Sequence, residues 1–248
     1  MKNPLIALTT DFGNYDPFVG IMKGVIARIA PGTQLVDITH TIPPGDIQRG
    51  AVVLWQSVPY FPEGTVFLSV VDPGVGTERK GILLVTEDHL LVGPDNGLFS
   101  YILLQSESYK AWELTKLPRI DIAMIQSTSS TFHGRDIFAP SAALAALGVA
   151  GNELGPTCDD IARLPSPTLE VPSPRLLRGE VLTIDHFGNV LTSLGKFLPE
   201  NEGKWQLSPW VGRTRPMVKF SAEHACVELP NGDRLPFVDT FAHTPPGT

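Results

Sequence analysis

Leu5-Ile6-Ala7-Leu8-Thr9-Thr10 runs directly into Asp11-Phe12-Gly13, and this junction decides the fold class. A short apolar run with a polar, glycine-containing stop reads as a buried strand opening into a loop. Asp16-Pro17 follows as an N-cap with proline at the first helical position. Phe18, Ile21, Met22, Val25 and Ile29 then recur at helical spacing until Pro31-Gly32 stops the run. Gln34–Thr39 (QLVDIT) is a second strand, and Asp46 caps a helix carrying Ile47, Ala51, Leu54, Trp55 and Val58. Thr65–Val71 (TVFLSVV) is a third strand, ending in Asp72-Pro73-Gly74-Val75-Gly76. Strand, helix, strand, helix, strand predicts an α/β core with a parallel or mixed sheet and flanking helices. Ligands bind such sheets beyond the carboxyl ends of the strands. Asp11 and Asp72 both fall at such ends, placed to converge on one crevice.

Beyond this core, Gly81–Thr86 and His89–Val92 read as strands, followed by the turn Gly93-Pro94-Asp95-Asn96-Gly97. A short helix is expected within Asp136–Leu147, with Pro140 delaying its start. Leu164–Arg175 (LPSPTLEVPSPR) holds four prolines in twelve residues and reads as an inter-domain linker. After it the pattern changes. Gly179–Leu194, Arg215–Phe220, Cys226–Leu229 and Arg234–Val238 look like short strands joined by turns such as Pro230-Asn231-Gly232-Asp233. The expected organisation is an α/β domain over 1–163, a linker over 164–175 and a small antiparallel β domain over 176–248.

Composition narrows the function classes. The 248 residues carry a net charge of −7, from 19 Lys and Arg against 26 Asp and Glu, which disfavours a nonspecific nucleic-acid binder. No apolar run approaches the roughly 20 residues of a membrane span. The start, MKNPLIALTTDFG, lacks the apolar length and cleavage site of a secretory signal, so a cytoplasmic location is expected. Two cysteines, Cys158 and Cys226, exclude a disulfide scaffold, and six singly scattered histidines argue against a zinc site. Glycine and proline, 23 each, mark a chain rich in loops, where binding residues concentrate.

Common catalytic signatures are missing: there is no Gly-x-Ser-x-Gly elbow and no His-Glu-x-x-His. Gly74-Val75-Gly76 follows a strand, but Arg79 stands where a dinucleotide fingerprint needs its third glycine, so a plain turn is the reading. Charged residues in glycine-rich loops remain. Asp72 and Arg79 share one loop, and His133 lies in Thr131-Phe132-His133-Gly134-Arg135-Asp136. On spacing alone the favoured readings are a loop or capping carboxylate, a solvated charge and a loop histidine bonded to backbone. Asp185-His186-Phe187-Gly188-Asn189 reads either as a hairpin turn or as a nucleoside contact, with Phe187 stacking and Asn189 meeting a base edge.

Taken in order, five segments are similar to one family. They are Leu8–Gly13, Val71–Thr77 with Arg79, Gly93–Gly97, Phe132–Asp136 and Ile184–Asn189. The series resembles the S-adenosyl-L-methionine hydroxide adenosyltransferases, or SAM hydrolases, relatives of the fluorinase and chlorinase enzymes. The resemblance implies hydrolysis of S-adenosylmethionine (SAM) to adenosine and L-methionine, water or hydroxide attacking the ribose 5′-carbon. It maps a water-activating set onto Asp72, Arg79 and His133, where halogenating relatives carry other residues at the first and last. It implies ribose binding by Asp11, contacts to the methionine end by Asp16 and Asp185, and nucleoside contacts by Phe187 and Asn189. Asp16 carries the competing reading of a helix cap. The family also implies a homotrimer with its site between subunits, no cofactor besides the substrate, no metal, and no nucleic-acid or membrane partner. Family members continue beyond a turn like Thr244-Pro245-Pro246-Gly247-Thr248, so a shortened β domain is expected here. A noncatalytic nucleoside- or SAM-binding member is therefore the alternative, and halogenation a third reading.

Overall fold

The computed structural model describes residues 4–116, 129, 131–173, 176–199, 205–210 and 225–236. Strand β1 (Leu5–Thr10) is central because it is apolar on both faces, which suits a strand covered from both sides. It pairs in parallel with β2 (Gln34–Thr39) and with β3 (Val66–Val70). Strand β5 (Leu90–Pro94) continues the parallel run from β3. Strand β4 (Gly81–Thr86) reverses direction and lies antiparallel between β5 and β6 (Tyr109–Glu113). The six-stranded order is β2-β1-β3-β5-β4-β6, a mixed sheet as the strand–helix alternation predicts. Within this sheet β6 alone lacks a sequence expectation; it is a short edge strand whose Trp112 bridges to Thr157.

Alternating side chains feed two cores. Ile6, Leu8, Leu68, Val70, Leu83 and Val92 face helix α1 (Phe18–Ile29) and helix α4 (Ala139–Ala146). Ala7, Phe67, Val71, Ile82, Leu84 and Leu91 face helix α2 (Ile47–Ser57) and helix α3 (Ser100–Leu103). Each fully buried Val, Leu, Ile or Phe contributes about 1.5–3 kcal/mol, so this three-layer packing is the main anchor of the site above it. Gly93 is required by close approach, since a Cβ there would meet the Ser69 backbone carbonyl and the Phe99 ring.

Two helix starts differ in how they are capped. Asp46 caps α2 as expected, its Oδ1 accepting from Arg49 N–H at 2.9 Å. Asp16 does not cap α1. Pro17 occupies the N-cap position there with no side-chain cap bond, and Asp16 stays exposed. The expected helix in Asp136–Leu147 starts earlier than Pro140 suggests, because a π turn (Gly134–Phe138) feeds directly into α4.

The chain divides into two compact units, Met1–Ser166 and Pro167–Thr248. The second unit is built of two-stranded antiparallel pairs. Strand β7 (Leu169–Ser173) pairs with β8 (Leu176–Gly179), so part of the proline-rich stretch 164–175 is strand. Strand β9 (Val181–Ile184) pairs with β10 (Val190–Thr192), and β11 (Lys196–Pro199) with β12 (Trp205–Ser208). The last pair is β13 (Cys226–Glu228) with β14 (Arg234–Pro236). The strand expected over Arg215–Phe220 lies outside the described residues.

Candidate active site

Asp11 and Asp72 leave neighbouring parallel strands at the same sheet end, and their charges act on one another. The loop after β3 makes two tight turns, Val75 N–H to Asp72 O at 3.3 Å and Thr77 N–H to Gly74 O at 3.2 Å. The plain-turn reading of Gly74–Gly76 is thus the observed one. The turns bring Arg79 back onto Asp72. Arg79 Nε donates to Asp72 Oδ1 at 3.1 Å and Arg79 Nη2 to Asp72 Oδ2, a bidentate pair. Both side chains are buried, 8% and 4% exposed, so Arg79 is not a solvated surface charge and Asp72 is not a helix cap.

His133 completes the set from 54 residues further along. Arg79 Nη2 donates to His133 Nδ1 at 3.0 Å. A guanidinium has only donors, so Nδ1 must accept and the neutral ring carries its proton on Nε2. Burial, then the Arg79 charge, push the His133 pKa below the ordinary 6.5, with Asp72 and Asp136 pulling weakly the other way. The imidazole therefore stays neutral near pH 7. His133 bonds a side chain and not the backbone, unlike a structural loop histidine. Arg79 Nη1 and His133 Nε2 have no hydrogen-bond partner among the described residues.

Neighbouring contacts hold these three in place. Asn96 Nδ2 donates to Val71 O at 2.8 Å, pinning the residue before Asp72. Asp136, its side chain wholly buried, accepts from Ser129 N–H at 2.8 Å and from the Arg135 guanidinium, clamping the approach to His133. A Cβ on Gly134 would sit 3.2 Å from both Met22 Sδ and the Phe12 ring, so glycine lets the His133 turn close onto the loop after β1. The Arg79 guanidinium lies over the Phe138 ring, 5.2 Å from its centroid. Sequence reasoning gives no role to Phe138, Asn96 or Asp136; Phe138 and Asn96 act through long-range contacts that no local pattern reports, and Asp136 through bonds to Ser129 and Arg135.

Asp11 Oδ2 accepts from Gly45 N–H at 2.8 Å. Burial raises its pKa above 3.8, partly offset by that bond and by its own backbone N–H, with Asp72 raising it further. An acceptor carboxylate with open lone pairs beside Asp72 suits a vicinal diol. Asp16, uncommitted to any cap, stands exposed on the same loop. Phe12, Phe18 and Phe132 form a chain of ring contacts at 6.1 and 6.2 Å around this side.

The second unit holds the remaining expected residues in a self-contained turn. Asp185 Oδ1 accepts from Phe187 N–H and Asn189 N–H, both at 2.8 Å, and Asp185 Oδ2 accepts from Asn189 Nδ2 at 2.7 Å. Those bonds, the Asn189 side chain first, hold the Asp185 pKa low. Phe187 projects from this turn, 86% exposed, and Asn189 Oδ1 has no partner among the described residues. The turn reading is thus the observed one.

Among the described residues no group of three His, Cys, Asp or Glu side chains could hold a metal ion, and no helix is long and apolar enough to cross a membrane. Residues 6–155 match the family described as SAM hydroxide adenosyltransferase N-terminal domain. The chain belongs to this family. It is 48% identical over 199 residues to the (R)-S-adenosyl-L-methionine hydrolase of Salinispora tropica, covering 79% of this chain and 74% of that protein. The fluorinase of Actinoplanes sp. is more distant, 30% identical over 228 residues, covering 81% and 75%. Among solved structures, a crystal structure of an uncharacterized conserved protein from Thermotoga maritima superposes with a TM-score of 0.71. It is 36% identical and covers 76% of this chain and 71% of its own.

Proposed function

We propose that this chain hydrolyses S-adenosyl-L-methionine to adenosine and L-methionine. The observation that carries the reading is the partly buried Asp72–Arg79–His133 chain of hydrogen bonds, with Arg79 Nη1 and His133 Nε2–H left as donors. Hydrolase relatives at close to half identity support the same chemistry, and the (R) sulfonium epimer in their name is taken as the substrate form. The sulfonium is already a good leaving group and needs no acid. The difficulty lies in making water nucleophilic and holding it in line with the carbon–sulfur bond, where positioning is worth several kcal/mol.

Two donors and a positive charge in a partly buried site stabilise hydroxide over water. Asp72 fixes Arg79, since both its oxygens already receive the guanidinium, and it serves as orienter and not as proton acceptor. His133 donates from Nε2 to the attacking oxygen. The oxygen bonds to C5′, the C5′–S bond breaks, its electron pair returns to sulfur as neutral methionine thioether, and the water proton leaves to solvent. Asp11 holds the ribose diol, Asp16 the methionine ammonium, and Phe187 with Asn189 the nucleoside, Asp185 acting by shaping their loop. The functional domain division, water activation in 1–163 and nucleoside contacts in 176–248, is part of this proposal, as are a homotrimer and a cytoplasmic location. A cofactor plays no part in it.

The test is incubation with each sulfonium epimer of SAM in 18O water. Adenosine labelled at the 5′-oxygen, equimolar with methionine and from the (R) epimer, is expected. Folded protein that binds SAM and releases no adenosine would mean the noncatalytic reading, and a halide-dependent product the halogenase one.

A further inference from the structure

The element after His133 is not an ordinary helix start. Ala139 N–H bonds to Gly134 O, the i→i+5 bond of a π turn over Gly134–Phe138. Such turns are uncommon and cluster at functional sites. Five residues apart on an α-helix, two side chains diverge by about 140° at ~3.6 residues per turn. A π turn brings them round to within about 50° of each other. Positions 133 and 138 are five apart, and both meet the same side chain. His133 takes a hydrogen bond from Arg79 Nη2, and the Phe138 ring lies beneath the Arg79 guanidinium at 5.2 Å. Phe138 is 0% exposed and the Arg79 side chain 8%, so this cation–π contact is desolvated, the setting in which it is strongest.

We propose that Phe138 is a positioning residue for the hydrolysis: its ring, brought under Arg79 by the π turn, fixes the plane in which the guanidinium meets Asp72, His133 and the attacking water. This rests on the proposed reaction. Asp72 and His133 restrain the guanidinium only along its Nε–Nη2 edge. The ring face restrains the remaining tilt, which sets where the Nη1 donors point. Misplacing a catalytic group by about 1 Å costs on the order of 10²-fold in rate, so even a partial tilt is felt in kcat.

The test replaces Phe138 by mono-, di- and trifluorophenylalanine, and by cyclohexylalanine, in the full-length chain. Fluorines withdraw the π density while nearly preserving shape, and the saturated ring removes it altogether. The kcat for adenosine release is expected to fall stepwise, by about tenfold at the trifluoro and cyclohexyl forms, with KM for SAM within about twofold. Thermal midpoints are expected to fall by no more than a few degrees, the loss of the cation–π contact being offset by the retained ring volume. A purely space-filling Phe138 predicts a flat kcat across the series, and that result overturns the proposal. The second readout is hydrogen exchange at Arg79 Nε–H, expected to speed up several-fold along the same series. Wild-type protein without turnover would remove the hydrolase reading alone, and unchanged Nε–H exchange would still overturn the role of Phe138.

Discussion

The loop after β3 and the turn at Asp185 hold the side chains proposed to act on SAM in opposite ways. In the first, Arg79 bonds both Asp72 and, 54 residues further along, His133, and the set is partly buried and braced by Asn96, Asp136 and Phe138. In the second, among the described residues, Asp185 and Asn189 are bonded within a five-residue turn, and Phe187 stands in solvent. The contrast separates two tasks. Groups that act on a small nucleophile are set before substrate arrives, where preorganisation lowers the barrier. Groups that grip a large flat ligand need only a stable turn and an exposed ring, because the ligand completes the contact.

Substitutions can break this contrast, and the first loop should yield the larger effects. Arg79→Ala should lower adenosine release by about 10³-fold or more, since it removes the cation proposed to stabilise hydroxide. It also strands the buried Asp72 carboxylate, at about 3–5 kcal/mol in urea unfolding. Arg79→Lys should rescue little of the rate, because a point charge cannot reproduce the bidentate geometry. Near-normal turnover in either variant, measured by chromatography of the products, would refute preorganisation by Arg79.

His133→Ala comes next, with kcat about 10²-fold lower and thermal stability little changed. The same residue sets a pH dependence. Its pKa is lowered in the folded protein, so protonation both strips the acceptor from Arg79 and opposes folding. Rate and stability should both be intact above 6.5 and fall as pH drops below it towards the lowered folded value. A pH profile flat through that range in wild type, or unaltered in His133→Ala, would contradict the assignment of Nδ1 as acceptor.

Asp11→Asn should raise KM for SAM by about tenfold, an amide being a poorer partner for two hydroxyls. The Asp11 pKa is raised on folding, so its ionised form opposes folding above 3.8 and the neutral amide should leave the melting temperature unchanged or higher. Weaker binding without lost stability would mark a residue kept for function. The smallest effect is expected at Asp185→Ala. Amide exchange at Phe187 and Asn189 should quicken and KM rise a few-fold, with kcat unmoved. A large kcat loss there would erase the distinction between the two loops.

What the sequence made legible follows the same divide. The sheet strands β1, β2 and β4 match their expected bounds, because their apolar runs and stops are local signals. The Asp185 turn is equally local and was readable as such. The Asp72, Arg79 and His133 set was not readable from spacing; only the ordered likeness of five segments pointed to it. Asp16 shows the opposite failure, a strong local cap signal overridden when Pro17 took the N-cap position. Phe138 gave no signal, since a π turn leaves no periodicity in a five-residue stretch.

The reversal of β4 has one more consequence. Because β4 begins beside the end of β5, at Gly81 opposite Pro94, the chain between β3 and β4 starts and finishes on the same rim. Asp72 and Arg79 thus belong to an excursion whose two feet are anchored and whose middle folds into its own turns. Inheritance can rewrite such an excursion one residue at a time without disturbing the layers beneath. A different nucleophile on this rim would need no new architecture, only new occupants of the same excursion.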